Sequence, residues 1–352
     1  MDYSGLFDKA RDLYTLFSYN DKYGRAKIPF RYFLELTYRC NLACPYCYVG
    51  TERNKQELTT QEWKDVINQI PFYSIVTLVG GEPLLRKDFT KILAHTSKKT
   101  WNKVHVVSNG ILIDEEIIKA FINYKLLLLS VSLDGYGKNH DLNRGKDGIF
   151  DKIISNLENL KSKKPTQMVD IKTIVLNNNL DDLPKLYKLC NKMGFEYLSI
   201  SFLRNNNWKQ NSVLHNNFIP EFNMDYPVEC YFDIEHFKEV YQEITNIKGK
   251  TKLRFSPKFE YSDNIQQKIE EFFTHSIPPV ERYKPCTYVY NNMMINPEGF
   301  VYPCLSQKIG NVKEKSLKEL FNMPAYCCFR KNLKAAGGTF GACQMCCELK
   351  LK

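Results

Sequence analysis

No stretch of this sequence stays apolar for the roughly 20 residues that a bilayer-spanning helix needs. The segment Met1 to Asn20 also lacks the basic start and apolar centre of a secretory signal, because Asp2, Asp8 and Asp12 interrupt its apolar positions. There is no low-complexity tract, no repeat of fixed period beyond a strand–helix alternation, and no run of lysine and arginine interleaved with aromatics. These absences argue against a membrane span, an exported chain and a nucleic-acid partner. They predict a cytoplasmic protein.

What is present is ordinary globular composition: 352 residues, 43% hydrophobic and 25% charged, enough for one large core and a smaller appended unit. The net charge of +10 reads as a lysine-rich solvated surface. The twelve cysteines need a different account, since structural disulfides are rare in a reducing compartment. Cys40, Cys44 and Cys47 form a tight group, and Cys286, Cys304, Cys327, Cys328, Cys343, Cys346 and Cys347 crowd the last quarter. Clustered cysteines in such a chain bind metal more often than they pair.

From about Pro29, short apolar runs alternate with amphipathic stretches. The runs are Tyr32–Leu36, Ile75–Val79, Val104–Val107, Leu126–Leu133, Val169–Leu176 and Tyr197–Leu203. Helices are expected to begin near Thr60, Lys87, Asp114, Phe150 and Asp181, the last ending at Gly194. This alternation predicts an α/β fold, a parallel sheet covered by helices, and six strands suit a partial (β/α)6 TIM-like barrel. Polar loops and helices near Ile234–Ile247 and Ile265–His275 follow. Then comes a hairpin, Tyr288–Ile295 and Phe300–Cys304, turning at Pro297-Glu298-Gly299. The expected division is an extension at 1–28, the barrel at 29–204, a helical linking segment at 205–285 and a small hairpin-plus-helix unit at 286–352.

After the first strand the chain reads Cys40-Asn-Leu-Ala-Cys44-Pro-Tyr46-Cys47. Three thiolates this close can wrap one 4Fe–4S cube and leave its fourth iron open. Zinc is the competing reading, but a structural zinc site wants a fourth protein ligand nearby, and none follows in the first half. His95 and His105 lie within the strand–helix pattern as ordinary core or surface residues.

The Cys-x3-Cys-x2-Cys spacing, with aromatic Tyr46 before the third cysteine, resembles the signature of the radical S-adenosylmethionine (SAM) superfamily. Gly80-Gly81-Glu82-Pro83, after the second strand, resembles that family's segment for the SAM amino group. Chemically, a carboxylate accepts from an ammonium, and glycines permit close backbone approach. Ser108-Asn109-Gly110 and Ser132-Leu133-Asp134-Gly135 end the third and fourth strands, where ligands bind in parallel sheets. The resemblance implies ribose contacts from Ser108, Asn109, Ser132 and Asp134; a plain turn suits Asp134 equally well. His140-Asp141-Leu-Asn-Arg144-Gly145 resembles the segment whose arginine takes the SAM carboxylate, and a guanidinium suits that task. His140 itself reads as structural.

The last quarter carries Cys286-x12-Gly299-x4-Cys304 and, further on, Cys343-x2-Cys346. This resembles the SPASM/Twitch extension, and four thiolates suit a fully ligated auxiliary 4Fe–4S cluster. Ligand chemistry alone would also admit an all-cysteine zinc ribbon. Only Cys347 and five more residues follow, which points to the shorter Twitch-like version with one auxiliary cluster and leaves Cys327, Cys328 and Cys347 over. Cys190 reads as a core thiol. Cys230 reads as a packed thiol, and by resemblance also as the lone cysteine that returns a hydrogen atom in related epimerising enzymes.

The resemblance therefore implies reductive cleavage of SAM to a 5′-deoxyadenosyl radical and hydrogen abstraction from a substrate, with a flavodoxin or ferredoxin as electron donor. About thirty residues precede the first strand, too few for a separate peptide-binding domain. That favours a small polar metabolite or sugar, undergoing oxidation or epimerisation, over a ribosomal peptide undergoing epimerisation or cross-linking. A non-catalytic iron–sulfur carrier is the third reading, and Glu82 with Arg144 speaks against it.

Overall fold

The computed structural model describes residues 15–47, 55–202, 233–256, 264–274, 279–304, 307–340, 343, 346 and 348–352. Ten strands form one sheet: β1 (Arg31–Glu35), β2 (Ile75–Val79), β3 (Val104–Ser108), β4 (Leu128–Ser132), β5 (Val169–Val175), β6 (Tyr197–Phe202), β7 (Lys252–Ser256), β8 (Asn292–Ile295), β9 (Phe300–Tyr302) and β10 (Gly310–Asn311). Their order is β10-β9-β8-β1-β2-β3-β4-β5-β6-β7. Every pairing from β8 through β1 to β7 is parallel, and only β8–β9 and β9–β10 are antiparallel. This is the sheet of the partial TIM-like barrel.

Local chemistry sets the covering helices. Thr59 and Glu62 form a reciprocal capping box at the start of Thr60–Asn68, whose Trp63, Val66 and Ile67 turn inward. Asp114 caps Glu115–Asn123 by accepting from the Ile117 amide. Gly194, left-handed at φ 63°, ends Leu183–Met193 as expected. The helices bury the outward side chains of the strands, among them Tyr32, Leu34, Val76, Leu78, Val106, Leu129, Val131, Ile171, Leu198 and Ile200. Each aliphatic one is worth about 1.5–3 kcal/mol. The other face of the sheet is polar: Thr77, His105, Ser130 and Asp170 are buried there, bonded side chain to side chain.

The six expected strands stand within two residues of their predicted ends, the sixth being described to Phe202. Four elements differ from the sequence reading. β7 arises within 205–285, where only helices were expected. Lys138–Arg144 is a helix, set between Gly137 and Gly145, both at positive φ. Tyr288–Asn291 is one helical turn rather than strand, held because Arg330 donates to the Val289 carbonyl and the Tyr290 hydroxyl donates to the Arg330 carbonyl. Pro324–Ala335 is a further helix, begun by proline in its first turn. Gly299 does occupy the tight turn, at φ 91°.

Candidate SAM and cluster sites

The predicted residues gather at the carboxyl ends of β1 to β4. Gly80-Gly81-Glu82 runs along the segment leading into the first cysteines: Gly81 N donates to Thr37 O at 2.7 Å and Glu82 N to Arg39 O at 2.8 Å. A Cβ at Gly81 would stand 2.4 Å from Arg39 O, and one at Gly80, where φ is 148°, would stand 2.5 Å from Thr37 O. The glycines thus admit the protein's own backbone, a role the sequence reading gave to a ligand. Arg86, buried beside them, donates to the carbonyls of Leu36 and Leu58 and pairs with Asp88, bracing the same segment.

Glu82 is fully buried and accepts from Leu84 N at 3.1 Å, Ser108 Oγ at 2.9 Å and Asn109 N at 2.7 Å. Burial nevertheless pushes its carboxyl up to about 7. A carboxylate so desolvated, near Cys40, suits a cationic ligand such as an ammonium. Asn109 does two things: its carbonyl oxygen accepts from the Ile111 amide, as a turn residue would, and its amide donates to Asn41 inside the cysteine loop. Ser132 ends β4, half-buried.

Asp134 is neither a plain turn residue nor an open ligand. It is buried, and its carboxylate receives the Tyr46 hydroxyl at 2.6 Å, the Arg144 guanidinium at 2.5 Å and the Ile174 amide at 2.7 Å. The Tyr46 hydroxyl is pushed up by burial and by this carboxylate, which keeps it a donor. Burial would lower Arg144, but Asp134, Tyr46 and Cys44 outweigh it and hold the group charged. Arg144 also donates to Cys44 Sγ at 3.8 Å, while its buried Nε has no hydrogen-bond partner among the described residues. That orphaned donor, beside a thiol and opposite the buried Glu82, fits an amino-acid carboxylate. His140 is structural as expected: its Nδ1 accepts from the Asp134 amide, and burial lowers it to about 4.

Cys40 and Cys44 are half-buried and Cys47 is exposed, all three free thiols. Burial raises Cys40 and Cys44; Cys47 and Cys44 add to the rise of Cys40, and Cys47 to that of Cys44, so the three lie within electrostatic reach. Among the described residues no group of three His, Cys, Asp or Glu converges as for a single metal ion. A cube, whose ligands bind separate irons, asks for wider spacing. At the other end, burial and then Cys346 and Cys343 push the Cys286 thiol up, which brings these three together. Cys304 lies near Tyr288 and Tyr326 and raises both. Cys327 and Cys328 sit on the helix Pro324–Ala335 and bond locally, to Asn322 O and Asn332. Cys190 is buried in the core. Cys230 and Cys347 lie outside the described residues.

Residues 34–190 match the Radical SAM superfamily, and residues 286–347 match SPASM, an iron-sulfur cluster-binding domain. The chain belongs to the radical SAM superfamily and carries a SPASM domain. Such an enzyme works with a SAM-binding 4Fe–4S cluster, auxiliary iron–sulfur clusters and SAM. Among similar proteins, Fe-coproporphyrin III synthase of Methanosarcina barkeri is 32% identical over 44% of this chain and 39% of its own length. PqqA peptide cyclase of Bradyrhizobium diazoefficiens is 25% identical over 51% of this chain and 48% of its own length. The matched region thus spans less than half of these relatives. Streptococcus suis SuiB bound to precursor peptide SuiA superposes with a TM-score of 0.67 at 17% identity, covering 92% of this chain and 72% of SuiB. This radical SAM enzyme shares that fold. No described helix is long and apolar enough to cross a membrane.

Sequence reasoning picked out the residues that gather here but missed what holds them. Asn41, Arg86 and the double use of Asp134 carry no local signal, because their partners are distant in sequence.

Proposed function

We propose that this radical SAM enzyme modifies a peptide, taking a hydrogen atom from it to oxidise, epimerise or cross-link a residue. The observation that carries this reading is the company the chain keeps: a peptide cyclase by sequence and a precursor-peptide complex by fold. That company reverses the preference for a small metabolite or sugar drawn from the short N-terminal stretch. A non-peptide substrate is the second reading, favoured by the likeness to Fe-coproporphyrin III synthase.

In this reading Cys40, Cys44 and Cys47 hold the SAM-binding cluster, and Cys286, Cys304, Cys343 and Cys346 hold an auxiliary one. Cluster and SAM together supply reductive cleavage to a 5′-deoxyadenosyl radical. The chain's own side chains position SAM: Glu82 takes the amino group, Arg144 the carboxylate, and Ser108, Asn109 and Ser132 line the ribose side. Asp134 orients Arg144, and Tyr46 ties the cysteine loop to Asp134. A flavodoxin or ferredoxin delivers the electron.

Anaerobic reconstitution with iron and sulfide, then dithionite and SAM, is expected to yield 5′-deoxyadenosine, and to yield none once Cys40, Cys44 and Cys47 are alanine. No cleavage by a protein with full iron content would favour a non-catalytic electron carrier. Peptide modification is read by mass spectrometry of a supplied precursor. Cys230→Ala is expected to leave SAM cleavage intact while product formation falls. Normal product formation would remove Cys230 from the reaction.

A further inference from the structure

We propose that the inner face of β5 to β7 binds an acidic group of the substrate, with Lys172 and Arg254 as its cations; for a peptide substrate, the group is a carboxylate of the peptide. The proposal rests on the peptide reading only for that last identification.

Register places Ser132, Lys172, Ser199 and Arg254 side by side across β4 to β7. Side chains at matched positions of neighbouring strands share one face of a sheet. The bonding one layer away shows which face this is. Ser130 Oγ donates to Asp170 at 3.1 Å, Ser199 Oγ donates to Asp170 at 2.7 Å, and His105 Nε2 contacts Ser130 Oγ at 2.8 Å. Arg31 on β1 reaches His105 Nδ1 at 2.9 Å, so the chain of contacts crosses the interior from β1 to β6. On β7 the alternate residue, Phe255, packs against Tyr241 of the outer helix Ile234–Asn246, which turns Arg254 inward.

The charges on this face do not balance. Along β1 to β7 it carries Arg31, Lys172, Lys252 and Arg254 against Glu35 and Asp170. Asp170 is already engaged by Ser130, Ser199 and the Lys172 ammonium at 3.2 Å. Arg254 lies over the Tyr197 ring at 3.3 Å, which fixes its plane, and no described carboxylate pairs with it. His105 adds no positive charge: burial, and then Arg31, Lys172 and Arg254, hold it well below its usual range. Lys172 keeps 42% of its side chain exposed, and its ammonium, which also pairs with Asp170, stays within reach of solvent and of a second anion. The next row toward the strand ends carries Ile174, Ser201 and Ser256, so its positions on β6 and β7 are small.

An excess of positive charge on one wall favours an anion there, and a planar guanidinium beside an ammonium suits a carboxylate. Ser132 stands in the same row and at the edge of the SAM site. An acid held by Lys172 and Arg254 would therefore present its neighbouring carbon next to where SAM is placed. The acid becomes the anchor, and the hydrogen removed lies close to it.

The test uses reconstituted holoenzyme with SAM to select from a displayed library of random ten-residue peptides, beside Lys172→Gln, Arg254→Gln and the conservative Lys172→Arg. Circular dichroism and iron content confirm that each variant is folded and loaded. Aspartate and glutamate are expected to be enriched among retained peptides by about 10- to 100-fold, the range for a charge-assisted pair. Both Gln variants should lose that enrichment, and Lys172→Arg should keep most of it. Peptides retained without acidic enrichment would overturn this inference and leave the peptide reading standing. Should no peptide be retained, glutarate and glutaramide titrations by calorimetry decide. Binding of glutarate alone, lost in both Gln variants, would support the acid site while sinking the peptide reading; equal or absent binding of the two would overturn the acid site as well.

Discussion

Gly81→Ala is expected to abolish loading of the first cluster site and SAM binding while the barrel stays folded. The added Cβ would meet Arg39 O at 2.4 Å, and Arg39 C and Tyr38 O at 2.8 Å, all backbone atoms. A clash with a side chain can be relieved by a change of rotamer, but a clash with backbone moves the chain. The segment that must move runs straight into Cys40. Two hydrogen bonds that zip it to residues 81 and 82 would open with it. Overpacking of this kind costs about 1–3 kcal/mol, tolerable for the barrel but not for a loop that must place three thiols. Gly148 is the control. Its φ is 70° and a Cβ there meets nothing within 4 Å, so alanine should cost only the left-handed strain, about 1–2 kcal/mol. Iron per chain and SAM affinity separate the two variants. Full iron and normal SAM binding in Gly81→Ala would mean that the loop does not depend on this contact.

The second large effect concerns Asp134. Alanine there would strand three donors at once around a buried carboxylate: the Tyr46 hydroxyl, the Ile174 amide and the Arg144 guanidinium. Removing one partner of a buried ion pair costs about 3–5 kcal/mol, because the other charge stays behind unpaired. Chemical denaturation should show a loss of that size, and SAM affinity should fall by two orders of magnitude or more as Arg144 loses its orientation. Adding Arg144→Met should recover much of the stability without recovering SAM binding. The opposite sign is informative. If Asp134 instead competed with SAM for the guanidinium, Asp134→Ala would bind SAM more tightly, and the orienting role would be wrong.

Much of the candidate site was legible because the chemistry proposed for it demands particular residue types at short spacing. Three cysteines within eight residues, a Gly-Gly-Glu-Pro turn after a strand and an arginine after the fourth strand can be recognised without a structure. Strand positions were equally open to reading, since buried parallel strands write themselves as apolar runs. β7 escaped for the converse reason. Lys252-Leu-Arg-Phe-Ser is short and basic, and of its residues only Phe255 is buried. The helix Lys138–Arg144 is brief, and its limits are set by backbone shape at two glycines rather than by an apolar stripe. Asp134 was visible but ambiguous, because what settles its role lies 88 residues away at Tyr46 and 40 away at Ile174. The cationic row needs three strands in register before it exists at all. Cys230 lies outside the described residues, so its part rests on the sequence alone.

The parallel pairing of β8 with β1 also orders events in time. β1 leaves the ribosome well before the partner on one of its sides, Asn292–Ile295, which lies more than 250 residues further along. Until then β1 presents an unsatisfied edge, the kind of surface on which chains associate wrongly. Closing so long a loop is slow and entropically costly, so the pairing that covers this side of β1 is expected to form late. The segment containing Cys286 and Cys304 is thereby a late-arriving seal, and nascent chains stalled before it are the population a chaperone would be needed to hold.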